Sequence, residues 1–172
     1  MEKQVLEKYI REFGKDIFSF CRYLTQNRTE AEDLYQDIFL KAMELDCMEE
    51  NRNPKGYLLG IGIRIWKNRR RKYAWRKQIS DLNYQFTEED LKSKEADSSA
   101  EEMAIRREER ELVRSAMVRL PEKLQVVILL FYMEEQSIEN IAKILHIPSG
   151  TVKSRLHNGR KQLEKEMEAM MK

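Results

Sequence analysis

Apolar side chains in this sequence recur in steps of three and four and never sustain an alternation. Leu6, Ile10, Phe13, Ile17, Phe20, Cys21 and Leu24 set the pattern over residues 5–24. That period lines one face of an α-helix, whereas a strand needs a period of two. The chain is therefore read as all-α. Six glycines and three prolines in 172 residues agree, because turn-rich β folds use more of both. Residues 27–29 interrupt the pattern and offer caps for a second helix over about 30–45. The polar stretch 46–53, followed by Pro54, reads as a loop, and a third helix runs from about 55 to 76.

Residues 79–100, ISDLNYQFTEEDLKSKEADSSA, are polar, mostly acidic and without sustained period. They read as a flexible acidic tether with a short helical turn around 88–91. Such a chain spans roughly 26 Å root-mean-square and about 70 Å fully extended. Apolar period returns at Leu112, Val113, Ala116, Met117 and Leu120. Pro121 then opens a helix at a position where its missing N–H costs nothing. SIENIAKIL and the stretch from 149 onward complete four helices. The expected organisation is two small helical domains, 1–78 and 101–172, joined by the tether.

The longest apolar run, 126–132, has the size of a buried helix segment and falls short of a membrane span. No signal-peptide pattern opens the sequence. Cys21 lies on an apolar stripe and Cys47 in the loop, which fits a reducing cytosol better than a disulfide framework. Together with His146 and His157 they have the wrong spacing for zinc, and neither a metal nor any other cofactor is expected.

The second domain carries IPSGTVKSRLHNGRKQL at 147–163. Ser137 is the expected N-cap of a short helix, His146-Ile147-Pro148 the turn, and Ser149 the cap of the next helix. On that last helix Val152, Leu156, Gly159 and Leu163 share the inward face. Ser154, His157, Asn158 and Lys161 point the opposite way, flanked by Thr151, Lys153 and Arg155. A short helix, a tight turn and a longer cationic helix are the parts of a helix-turn-helix, whose second helix anchors on phosphates and reads base edges in the major groove. A merely solvated outer face is the plainer alternative, and it leaves that combination of parts unexplained. The net charge is only +2, so the case rests on where charge lies rather than on its sum.

Two faces stand out in the first domain. In AEDLYQDIFLKAM, Ala31, Leu34, Ile38, Ala42 and Leu45 form a stripe expected to be buried. Asp33, Gln36, Asp37 and Leu40 form a second stripe, polar and acidic with one leucine, that suits a protein partner. In GYLLGIGIRIWKNRRRKYAWRK, Leu58, Ile61, Gly62 and Ile65 point inward, while Arg64, Lys67, Asn68 and Arg71 line the opposite side. Eight basic and no acidic residues fall between 64 and 77, interleaved with aromatics. Cations track phosphates and exposed rings stack on unpaired bases. Trp66 and Trp75 are expected to be partly buried.

These blocks, in this order, resemble the extracytoplasmic-function sigma factors, the minimal two-domain bacterial initiation factors. The resemblance covers nearly all of the chain except the tether. It implies that Asp33, Gln36, Asp37 and Leu40 dock on core RNA polymerase. It implies that the loop 47–55, with Asn53 and Lys55, receives a flipped −10 base. Tyr57 then stands where the family often has tryptophan, and Arg64, Lys67, Asn68 and Arg71 meet the −10 element of promoter DNA. Ser149, Thr151, Lys153, Ser154, Arg155, His157, Asn158 and Lys161 belong to the −35 reading helix. An anti-sigma factor is implied as a further partner. Arg64 and Asn68 replace a common asparagine and aspartate, and Asn158 and Gly159 stand where a basic residue and alanine are frequent. These departures bear on promoter preference rather than on function class.

The resemblance also implies a cytoplasmic protein with no catalytic centre and no membrane contact of its own. Promoter elements about one and a half duplex turns apart lie roughly 50 Å from each other, so polymerase is expected to extend the tether. The rival reading is a helix-turn-helix repressor or activator working without polymerase. It needs a dimer interface or ligand pocket that the first domain does not clearly offer. An enzyme needs clustered acids or a placed nucleophile, and Asp33 and Asp37 lack a third ligand nearby.

Overall fold

The computed structural model describes residues 3–45, 52–77 and 100–172. Among these the chain is all-α, built from α1 (Lys3–Thr25), α2 (Arg28–Leu45), α3 (Pro54–Lys77), α4 (Ala100–Val118), α5 (Glu122–Ile128), α6 (Ile138–Leu145) and α7 (Ser149–Met171). The expected tether and most of the loop 46–53 lie outside the described residues. The chain divides into two compact units, Met1–Thr87 and Glu88–Lys172. No helix among the described residues is long and apolar enough to cross a membrane.

In the first unit α1, α2 and α3 pack on one another. The three-four period predicts their contact faces. Ile17, Phe20, Cys21, Ala31, Leu34, Ile38, Ala42 and Leu58 are fully buried, with Ile61 and Trp66 nearly so. Gln26 takes the left-handed conformation, φ 58°, and its N–H closes α1 on the Arg22 carbonyl. The Asn27 Oδ1 then caps α2 by accepting from the Glu30 N–H at 3.1 Å. Gly62 lets α3 approach α2, since a Cβ there would stand 2.7 Å from Ile38 Cδ1. Leu45, expected to be buried, is 39% exposed in the last turn of α2.

In the second unit α7 packs against α4, α5 and α6. The buried set includes Ala116, Met117, Val126, Val127, Leu130, Ile141, Val152 and Leu156. Pro121 stands one residue ahead of α5, and its carbonyl accepts from the N–H groups of Leu124 and Gln125. Beyond Ile128 the helix continues as a π-helical turn, Leu129–Met133, in which the Glu134 N–H reaches back to the Leu129 carbonyl. The extra residue leaves Tyr132 half-exposed while Glu134 is buried.

Candidate functional site

The helix-turn-helix forms where the sequence places it. Ser137 Oγ accepts from the Asn140 N–H at 3.1 Å and caps α6. His146, in the left-handed region at φ 55° and ψ 46°, ends α6, and the Ile147 N–H closes on the Ala142 carbonyl. The cap of α7 differs from expectation. Pro148 takes the capping position with extended backbone, and Ser149 is the first helical residue with no side-chain cap bond from either. Pro148 suits that position because its ring holds φ near −65° and its carbonyl accepts from the Thr151 and Val152 N–H groups.

Along α7 the inward residues Val152, Leu156 and Gly159 are buried. A Cβ on Gly159 would stand 3.0 Å from Ile128 Cγ1, so α7 lies close against α5 at that point. Ser149, Lys153, Ser154, His157, Asn158 and Lys161 are exposed, and Thr151 and Arg155 are half-buried at the flanks. Those eight residues therefore occupy one continuous outer surface of α7, rich in donors and positive charge.

On α2, Asp33, Gln36 and Leu40 are exposed, Leu40 by 57%. Asp37 is half-buried, and its Oδ2 accepts from the Arg69 guanidinium of α3. The expected docking stripe thus holds together on one face, with one of its two carboxylates already engaged by a cation of the neighbouring helix. Periodicity assigns Arg69 no such task, because it reads faces within a helix rather than pairs between helices.

On α3, Arg64, Asn68 and Arg71 are exposed and Lys67 is half-buried. Tyr57 lies two turns before Arg64 on the same side and is half-buried. The other two expected −10 residues sit apart from this stripe. Asn53 Oδ1 accepts from the Gly56 N–H at 3.1 Å and caps α3. Lys55 falls on the opposite side of the helix, where its ammonium meets Asp16 Oδ2 of α1 at 3.0 Å with the side chain only 20% exposed. The expectation that Lys55 faces DNA with the stripe is corrected by that ion pair.

The aromatics separate as helical rotation dictates. Trp66 is turned into the core, with the Arg70 guanidinium 4.9 Å above its ring centroid. Trp75 is 72% exposed, so partial burial holds for neither tryptophan. Among the described residues no group of three His, Cys, Asp or Glu side chains is placed to hold a metal ion.

Family profiles match both units. The Sigma-70 region 2 profile covers residues 9–76, and the Sigma-70, region 4 profile covers 110–163. The chain is 30% identical over 155 residues to the ECF RNA polymerase sigma factor SigW of Bacillus subtilis, spanning 88% of this chain and 82% of that one. It is 29% identical to the RNA polymerase sigma factor YlaC of the same organism, spanning 94% and 91%. Its fold is similar to that of the sigma factor RpoE co-crystallised with the anti-sigma factor NepR from Bartonella quintana. The TM-score there is 0.73 at 23% identity, covering 94% of this chain and 98% of that one.

Proposed function

Because this chain belongs to the extracytoplasmic-function (ECF) RNA polymerase sigma factors, we propose that it directs core polymerase to promoters through three of its helix faces. Asp33, Gln36, Asp37 and Leu40 on α2 grip the enzyme. Tyr57, Arg64, Lys67, Asn68 and Arg71 on α3 meet the −10 element, where capturing an unstacked base offsets a melting cost of a few kcal/mol. The outer surface of α7, from Ser149 to Lys161, reads the −35 element in duplex form. Asn53 serves that site indirectly by fixing the start of α3.

The carrying observation is the pairing of two matched regions in sigma order with cationic outer faces on both α3 and α7. A repressor needs only the second of these. In this reading the protein adds no bond-making chemistry of its own, works in the cytoplasm, and is held inactive by an anti-sigma factor that covers the faces of α2 and α7. Run-off transcription with core polymerase on pooled genomic promoters tests it. Discrete start sites that depend on the chain are expected. A chain that shifts promoter DNA alone and does not co-purify with core polymerase overturns it in favour of a repressor.

A further inference from the structure

The outward stripe of α3 ends in a ring rather than a charge. Arg64, Asn68, Arg71 and Trp75 fall at i, i+4, i+7 and i+11, within about 60° of one another around an uninterrupted helix. Trp75 is 72% exposed, whereas the other tryptophan, Trp66, is 4% exposed. Arg71 and Lys72 beside it are exposed as well, and α3 carries no carboxylate along its length. An indole left in water within a purely cationic surface is matched by a polyanion that also presents flat apolar faces. Nucleic acid has both properties, and a protein groove facing so many cations needs a dense acidic rim to match.

We propose that Trp75 is a DNA-contacting residue that extends the footprint of α3 beyond Arg71. The inference rests on the reading of the α3 face as the −10 contact. At 1.5 Å per residue the ring lies about 16 Å along the axis from Arg64, or roughly five nucleotide steps of a strand. It lies only about 6 Å from Arg71, so a phosphate held by Arg71 brings its own or the neighbouring nucleotide to the indole. The ring packs there on an unpaired base or on the deoxyribose of a paired one, two surfaces with the same planar or apolar character.

The test uses holoenzyme assembled from core polymerase and the full chain. The probe is a DNA fragment enriched from a random pool by the wild-type holoenzyme. It is offered either as duplex throughout or with the −10 non-template strand unpaired. Trp75→Ala is expected to lower affinity at least about fivefold, and Trp75→Phe to restore most of it. A loss confined to the unpaired probe identifies a base as the contact, and an equal loss on both identifies the duplex backbone. Affinity within about twofold of wild type on both probes overturns the proposal. So does a loss that appears in holoenzyme assembly, which marks a protein partner instead. Arg71→Ala separates the two levels. If it weakens DNA binding while Trp75→Ala does not, only this inference falls; if neither does, the reading of α3 falls with it.

Discussion

Arg69 on α3 donates to Asp37 on α2, joining the helix read as contacting DNA to the helix read as gripping polymerase. The two side chains are 42% and 43% exposed, so water screens the pair and its worth to stability is at most about 1 kcal/mol. Its interest is competition, since a cation on polymerase that takes Asp37 must share it with Arg69. Asp37→Lys is expected to lower core-polymerase affinity by more than about tenfold. Arg69→Gln leaves that affinity within about threefold of wild type or raises it. Co-purification and equilibrium binding with core polymerase check both. Wild-type affinity in Asp37→Lys removes Asp37 from the docking site, and equal losses in the two variants mean that Arg69 orients the carboxylate rather than competing for it.

Asn158 sits on the outer surface of α7, where its amide offers both a donor and an acceptor to a base edge. Asn158→Ala is expected to change −35 preference, with a lost discrimination of about 1–3 kcal/mol at one position. Core affinity stays unchanged. Selection from a random promoter library reads this directly, and an unchanged −35 consensus in the variant rejects the assignment.

Gly159 faces Ile128, whose Cγ1 and Cδ1 would lie 3.0 and 3.1 Å from an added Cβ. Gly159→Ala trades this crowding against a helix-propensity gain of about 1 kcal/mol and is expected to be near neutral. Gly159→Val overpacks the contact and costs about 1–3 kcal/mol, seen as a lower thermal midpoint of the full chain. The same shift of α7 weakens −35 binding. An unaltered midpoint for the valine variant means that α5 and α7 are less closely seated than this contact implies.

Tyr35 packs edge-on against Phe18 and Phe39, with its hydroxyl under Gly14. Burial raises its phenol above the ordinary value of 10.0, and the charge of Cys21 when ionised adds to the effect. A folded value above the unfolded one means that this contribution to stability is complete below about pH 10 and is lost as pH rises through the folded value. Melting curves from neutral to strongly alkaline pH are expected to fall more steeply in wild type than in Tyr35→Phe. Parallel curves rule the contribution out.

Much of the fold and of the candidate site is legible in the sequence. Ser137 announces the start of α6, and the three-four period separates Val152 and Leu156 from Ser154 and Asn158. Gly159 on the inward face signals the close approach to α5. The features that escape it do so for physical reasons. A serine before a helix usually caps it, but the fixed φ of Pro148 fills that role and draws Ser149 inside. The run from Val126 to Met133 is apolar nearly throughout, so it shows no phase from which a π turn can be read. Lys55 resembles a phosphate ligand by charge and proximity, yet rotation about α3 carries it to Asp16. Arg69 and Asp37 are far apart in sequence, and only packing brings them together. Trp66 and Trp75 differ in helical phase relative to Arg64, and that rotation alone separates the buried ring from the exposed one.

The π turn at Leu129–Met133 has a consequence for how this lineage tolerates change. It stores one surplus residue in a helix whose side chains from Leu124 to Leu130 are all buried. Deleting that residue restores ordinary winding and swings the downstream chain by about 100°. Single-codon losses at this spot therefore do not shorten the molecule harmlessly; they mis-aim the recognition element beyond it while leaving every side chain on it intact.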